Sequence, residues 1–404
     1  METPQCQPGR INRKGLAASI FITLLFAAFI LFPNLRRFGS LRSSILGGIA
    51  VAFPAFVMFM LLYTGKTHCW RRIFFTTYAV AFAISFVWMT MGDRGHMWLL
   101  DQEVLYSEAP MCHMVVPMLA LPIVFFKEII FPVNFSGGMF MVLLVIVVGL
   151  IFGRAFCSWG CFYGGQDELF SSLRKKKTWN LGIEKLPPFI RYFSFAMLAF
   201  IILHSFATLS PTYCFWFCPF KATSEFIEVN SFIRVIQTFM FVGLWMGLAI
   251  VLPLLTKKRT QCSLFCPMGA FLSLTNKVNI FHLKIDKSKC SDCGLCVKTC
   301  PTFSLTKEAA AKGKPLITCT KCGACMDACP KNAIQYAVKG VPFTSGNHPM
   351  LEGRNKIGVW RKFASDVWDP GVVFVFGIFS VGTIIASGFF VDAVSRLLKL
   401  LLGV

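Results

Sequence analysis

Apolar positions along this chain fall in long unbroken runs, and polar positions gather between them. Runs at about 15–32, 45–64, 72–92, 138–153, 189–208, 232–253 and 371–391 carry few charges. Each approaches or reaches the ~18–20 residues that a helix needs to cross a bilayer core. The apolar stretch 111–131 differs, because Pro110, Pro117, Pro122 and Pro132 interrupt or flank it and Lys127 and Glu128 lie within it. Proline-broken backbone survives at membrane depth only where protein buries it, so this stretch is expected to be re-entrant or interfacial. The pattern predicts an α-helical polytopic membrane protein of about seven spans plus one re-entrant segment.

Between 271 and 345 the pattern changes in kind: apolar runs stop, Lys becomes frequent and Cys arrives in bursts. Residues 280–286 alternate as a short strand does, and 333–338 form a second strand candidate. Residues 339–353 read as a linker. From Arg354 to Trp368, Val359, Trp360, Phe363 and Val367 are set among basic residues, which suits a helix lying on a membrane surface. The expected division is a transmembrane helical domain over 1–270, a small α+β cysteine-rich domain over 271–345, and an interfacial helix with the last span over 346–404.

Composition agrees, with 55% hydrophobic and 15% charged residues, which excludes an ordinary soluble pair of domains. A net charge of +21 is the usual footprint of a nucleic-acid partner. Its distribution points elsewhere. Residues 254–370 hold eighteen Lys/Arg against seven Asp/Glu. The 93–110 loop instead holds Asp93, Asp101, Glu103 and Glu108 against Arg94, and the 209–231 loop holds Glu225 and Glu228 against Lys221. Basic loops stay on the cytoplasmic side, so no nucleic acid is expected as a partner. The 271–345 domain is placed in the cytoplasm, below a bacterial-type inner membrane. The clusters 174–177 and 257–259 share that side only if 111–131 does not cross; Arg36, Arg37 and Arg42 oppose the scheme. Arg10, Arg13 and Lys14 precede the first run, which is expected to be an uncleaved span.

Seventeen cysteines carry the chemistry. Two runs repeat one template: Cys290, Cys293, Cys296, Cys300-Pro301 and Cys319, Cys322, Cys325, Cys329-Pro330. A cubane needs four converging thiolates; a tight turn offers three, and in two-cluster ferredoxins the fourth of each run serves the other cluster. Cys290, Cys293, Cys296 and Cys329 are thus expected at one 4Fe-4S cluster, and Cys319, Cys322, Cys325 and Cys300 at a second, which makes 271–345 a small α+β bacterial-type two-cluster ferredoxin domain. Zinc sites pair two C-x2-C units and leave the third and fourth cysteines unexplained.

Three Cys-x3-Cys pairs follow another spacing: Cys157/Cys161, Cys214/Cys218 and Cys262/Cys266. On a helix, residues four apart share a face. The first and third pairs fall on the predicted cytoplasmic side and together supply thiols for a further cluster, a copper site or a redox-active dithiol; inert cysteines are the alternative. Cys214, Cys218, Cys112 and His113 fall on the outer side, as a second metal centre or a disulfide. Cys6 and Cys69 stand alone, and His204 reads as a core histidine rather than a quinone or haem ligand. The sequence has no C-x-x-C-H, dinucleotide fingerprint or P-loop.

At these residues the chain resembles the membrane polyferredoxins, from about 105 to 340. That family includes NapH-type and NosR-type iron–sulfur proteins and copper-handling oxidase assembly factors. The resemblance rests on residues 153–161 (GRAFCSWGC), residues 262–270 (CSLFCPMGA) and the paired cluster runs. It departs at Phe162, where the family has Pro, and in the added 214/218 pair and N-terminal spans. No flavin-attachment domain is visible. The resemblance implies electron transfer with redox partner proteins, possible exchange with quinone, and membership of an oxidoreductase system. Its rivals are a copper-binding or copper-reducing assembly factor and a redox-sensing regulator.

Overall fold

The computed structural model describes residues 15–34, 41–93, 137–174, 176–180, 186–208, 213–219, 221, 231–340 and 359–402. The stretch 111–131, with Cys112 and His113, lies outside them, as does Cys6.

The apolar runs form helices α1 (Leu16–Asn34), α2 (Leu41–Thr64), α3 (Thr67–Asp93) and α4 (Gly137–Phe152). A one-turn helix α5 (Phe156–Trp159) and α6 (Phe162–Leu173) follow, then α7 (Pro188–Thr208). Helix α8 (Phe232–Leu244) continues through a wide π-helical stretch into α9 (Leu252–Thr256), and α10 covers Pro267–Thr275. Among the described residues, four helices are long and apolar enough to cross a membrane, or five if the bent pair Leu144–Trp159 and Phe162–Leu173 is one span. The seven predicted runs all lie on helices, yet α3 carries Arg71 and Arg72 and the apolar part of α1, Leu16–Phe32, is short.

The ferredoxin segment folds as predicted around two strands. β1 (Phe281–Ile285) pairs antiparallel with β2 (Ile334–Val338), Phe281 opposite Val338 and Ile285 opposite Ile334. Alternation buries Phe281, Leu283 and Ile285 on one face. Between the strands lie single-turn helices α11 (Leu295–Thr299), α12 (Lys307–Ala311) and α13 (Ala324–Asp327). Helix α14 (Val359–Val367) is amphipathic and leaves Trp360 82% exposed, while Phe363 packs 5.6 Å from Phe21 of α1.

The long helix α15 (Pro370–Leu402) joins the two parts. Its Phe379 meets Phe26 at 5.3 Å and Phe74 at 4.6 Å inside the bundle. One turn earlier, Phe374 lies 6.0 Å from Trp159 and stacks on Tyr336 of β2 at 4.2 Å. Such pairs add about 0.5–1.5 kcal/mol each beyond their area, and here they hold the ferredoxin strands against the bundle. Asp327 completes the dock: its Oδ2 accepts from the His68 and Cys69 amides at 2.9 and 3.2 Å, satisfying donors at the start of α3.

Candidate functional site

The pairs 157/161 and 262/266 lie at or just beyond the ends of apolar runs, and neither occupies one face of an unbroken helix. Cys157 sits in α5, the backbone turns at Gly160, and Cys161 stands extended as the cap of α6. Cys262 sits in a π-helical turn over Gln261–Phe265, and Cys266 stands extended as the cap of α10. Each pair straddles a helix break because the second Sγ takes over a capping role: Cys161 Sγ accepts from Gly164 N, and Cys266 Sγ from Gly269 N, both at 3.4 Å. Phe162 opens its helix as Pro267 does, so the missing proline leaves the turn unchanged: Cys161 and Cys266 have ψ of 114° and 116°.

Two arginines then cross over. Arg154, three residues before Cys157, donates to the Cys262 carbonyl and to Ser273 Oγ at 2.9 Å. Arg259, three residues before Cys262, donates to the carbonyls of Cys157 at 2.7 Å and Gly164 at 3.2 Å, and to Ser158 Oγ. Each turn is therefore braced by the other's guanidinium. Close approach demands glycine at the seam: a Cβ on Gly164 would collide with the Cys157 carbonyl and stand 2.7 Å from Arg259 Nη2. One on Gly269 would stand 2.8 Å from both Arg154 Nη2 and the Cys262 carbonyl.

All four thiols are buried and within electrostatic reach of one another. Burial, with Cys157 nearby, pushes the Cys266 thiol up to about 12. Burial and the Asp167 carboxylate hold Cys262 well above the usual thiol range. Four thiolates need compensating positive charge here, and the donor set fits a cationic centre flanked by Arg154 and Arg259. Asp167 accepts from Cys262 N at 3.0 Å; Glu168 pairs with Arg71 at 3.0 Å and Arg259 at 3.5 Å.

Arg71 also leads out of this site. It donates to the Ser158 carbonyl at 2.6 Å and, through Nε, to the Cys322 carbonyl at 3.0 Å. Trp159 Nε1 donates to the Lys321 carbonyl at 3.2 Å. Both links join the 157–161 turn to the loop bearing Cys319 and Cys322.

In the ferredoxin domain, Cys300, Cys319, Cys322 and Cys325 line one pocket with Leu283, Leu305 and Ala324. Cys300, from the other run, enters it, as a crossed ligation pattern requires. Burial pushes the Cys319 thiol up to about 12. Cys290, Cys296 and Cys329 are half-buried and Cys293 is exposed. Among the described residues, no three His, Cys, Asp or Glu side chains converge on the position of a lone metal ion; a cubane spreads its four thiolates over separate iron corners.

The remaining expectations fare unevenly. Cys218 is buried; of Cys214 only the backbone is described, in a π-helical turn. Cys69, expected to stand alone, is disulfide-bonded. Arg259, read from sequence as one charge of a basic loop, is wholly buried, and Arg154 and Arg71 are too. The pattern Arg-x2-Cys-x3-Cys-x2-Gly, present at 154–164 and 259–269, was the signal that could have found them.

Comparison with known proteins fits this geometry. A family described as 4Fe-4S binding domain matches at 133–180, 190–235 and 238–288, each segment enclosing one Cys-x3-Cys pair. A 4Fe-4S dicluster domain matches at 282–330, enclosing both cluster runs. The putative electron transport protein YccM of Escherichia coli is 25% identical over 41% of the chain and 46% of its own length. The methylamine utilization ferredoxin-type protein MauN of Methylorubrum extorquens is 26% identical over 58% and 76%. The ferredoxin-type protein NapH of Haemophilus influenzae is 24% identical over 53% and 67%. The chain is similar to polyferredoxin-type proteins. The chain spans 46% to 63% of three curated relatives, from Methanocaldococcus jannaschii and Escherichia coli, about half their length. No solved structure matches it significantly.

Proposed function

We propose that this chain is a membrane-bound polyferredoxin, a relay carrying electrons between a soluble or quinone donor and an acceptor in or across the membrane. One observation carries the reading: Trp159 and Arg71 tie the 157–161 turn directly to the loop of Cys319 and Cys322. Short hydrogen-bonded connections between two thiol-lined sites suit an electron route better than two independent storage sites.

When bound, 4Fe-4S clusters supply one-electron couples whose potentials follow local charge, hydrogen bonding and solvent exposure. Cys290, Cys293, Cys296 and Cys329 would hold one, and Cys319, Cys322, Cys325 and Cys300 the second. Cys157, Cys161, Cys262 and Cys266 would hold a third centre, with Arg154 and Arg259 offsetting thiolate charge. Trp159 and Phe374 pack edge to face, 6.0 Å apart. In this reading seven helices cross the inner membrane, the 1–270 and 346–404 regions enclose the bundle, and the 271–345 domain faces the cytoplasm. The loop charges support that side. Quinone, or an outer centre near Cys112, Cys214 and Cys218, would form the far terminus. The names of YccM, MauN and NapH, ferredoxin-type or electron-transport, support the activity.

The test is iron content with low-temperature EPR of the anaerobically reconstituted, reduced full chain. Interacting 4Fe-4S signals are expected, with Cys293→Ser removing one ferredoxin centre and Cys157→Ser the third. Iron-free, colourless protein would end the reading. Copper bound per chain and lost in Cys262→Ala would instead make the third site a copper site. Flux from a soluble donor to a quinone analogue in proteoliposomes separates a relay from a sensor.

A further inference from the structure

Lys321 lies between Cys319 and Cys322, and only 3% of its surface is exposed. Its ammonium donates to the Phe152 carbonyl at 2.9 Å and to Asn276 Oδ1 at 2.6 Å, both neutral acceptors. Among the described residues it makes no ion pair with any carboxylate. A buried charge without a counter-charge is costly. The nearby carboxylates are engaged elsewhere: Glu168 by Arg71 and Arg259, Asp327 by the amides that open α3. The missing anion is supplied if the adjoining Cys300–Cys325 cavity holds a thiolate-ligated cluster.

The other ferredoxin site has the opposite surroundings. Cys293 is exposed, and Cys290 Sγ contacts the carboxylate of Asp292 at 3.5 Å. Lys287, Lys289 and Lys298 around it are exposed, and water and salt screen such charges. A buried cation favours the more negative, reduced form of a neighbouring redox group, whereas a carboxylate opposes it.

Resting on the relay reading, we propose that Lys321 is the built-in counter-cation of the Cys300/Cys319/Cys322/Cys325 site. It gives that site the higher reduction potential of the two ferredoxin centres. A single electron entering the domain then rests on the side facing the bundle, next to Trp159 and Arg71, and the exposed site is the point of entry.

The experiment is an EPR-monitored redox titration of the full chain carrying its clusters, with the two signals assigned in Cys293→Ser and Cys319→Ser backgrounds. At the potential that half-reduces the inner centre of the wild type, Lys321→Met should lower its reduced-to-oxidised ratio about tenfold, about 59 mV for one electron. The outer centre should move less than about twofold, and Lys321→Arg should leave both in place. Should Lys321→Met lose iron, Lys321→Gln carries the same expectation. No shift, an equal shift in both centres, or Lys321→Arg behaving like Lys321→Met would overturn the assignment. A wild type without two ferredoxin signals would refute the relay reading instead.

Discussion

Three turns in this protein share the Cys-x3-Cys spacing and a match to the same domain family, yet they fall into two kinds. The turns at 157–161 and 262–266 have Arg three residues before and Gly three residues after; the turn at 214–218 has Pro211 and Lys221 there instead. In the first two, each arginine reaches the other turn's first-cysteine carbonyl, and each glycine clears the path. In the third, Lys221 is buried, its backbone amide donates to the Cys218 carbonyl, and its ammonium lies 5.7 Å from the Phe241 ring. Cysteine spacing alone therefore does not define the site; arginine and glycine make two turns into one chamber.

The sharpest way to break this comparison is to remove an arginine. Arg259→Ala strips the brace from Cys157, Ser158 and Gly164 and half of the ion pairing from Glu168. A loss of about 3–5 kcal/mol is expected, the range for breaking a buried charge pair. Thermal unfolding in detergent, with iron per chain, measures it. Arg259→Lys should recover little, because an ammonium cannot reproduce a planar fork with several fixed donors. Gly164→Ala comes next, at about 1–3 kcal/mol for a methyl forced into a filled space; Gly269→Ala, with the looser clash, should cost less. If the two glycine variants cost nothing, the chamber is not packed as described. Trp159→Phe removes one link to the ferredoxin loop, and about 1 kcal/mol is expected from the lost hydrogen bond, with slower reduction of the third centre in rapid-mixing spectroscopy. Smallest of all should be Cys218→Ser: iron content and EPR of the other centres should be unchanged.

Much of this was legible in the chain. The strands at 281–285 and 334–338 follow from alternation, and Cys300 entering the cavity of the second run follows from the crossed ligation that its spacing implies. The helices follow from the apolar runs. The breaks at Cys161 and Cys266 did not, because four-residue spacing suits an unbroken helix equally well and only capping by sulfur distinguishes the two. Arg259 was hidden for a related reason. In a basic run beside a span, charge reads as topology, and nothing local says that one of the three residues turns inward to partners about a hundred positions away.

That distance also governs time. The bond from Arg259 to the Cys157 carbonyl spans 102 positions, and the bond from Arg154 to the Cys262 carbonyl spans 108. By contrast, the cavity walls from Cys300 to Cys325 come from one short stretch. Closing a long loop costs more entropy than closing a short one, and distant contacts form later. The ferredoxin pocket is thus ready for iron early, whereas the chamber between the twin turns exists only once α10 has met α5 and α6. An apo-protein caught midway through maturation would be expected to fill from the soluble side inward.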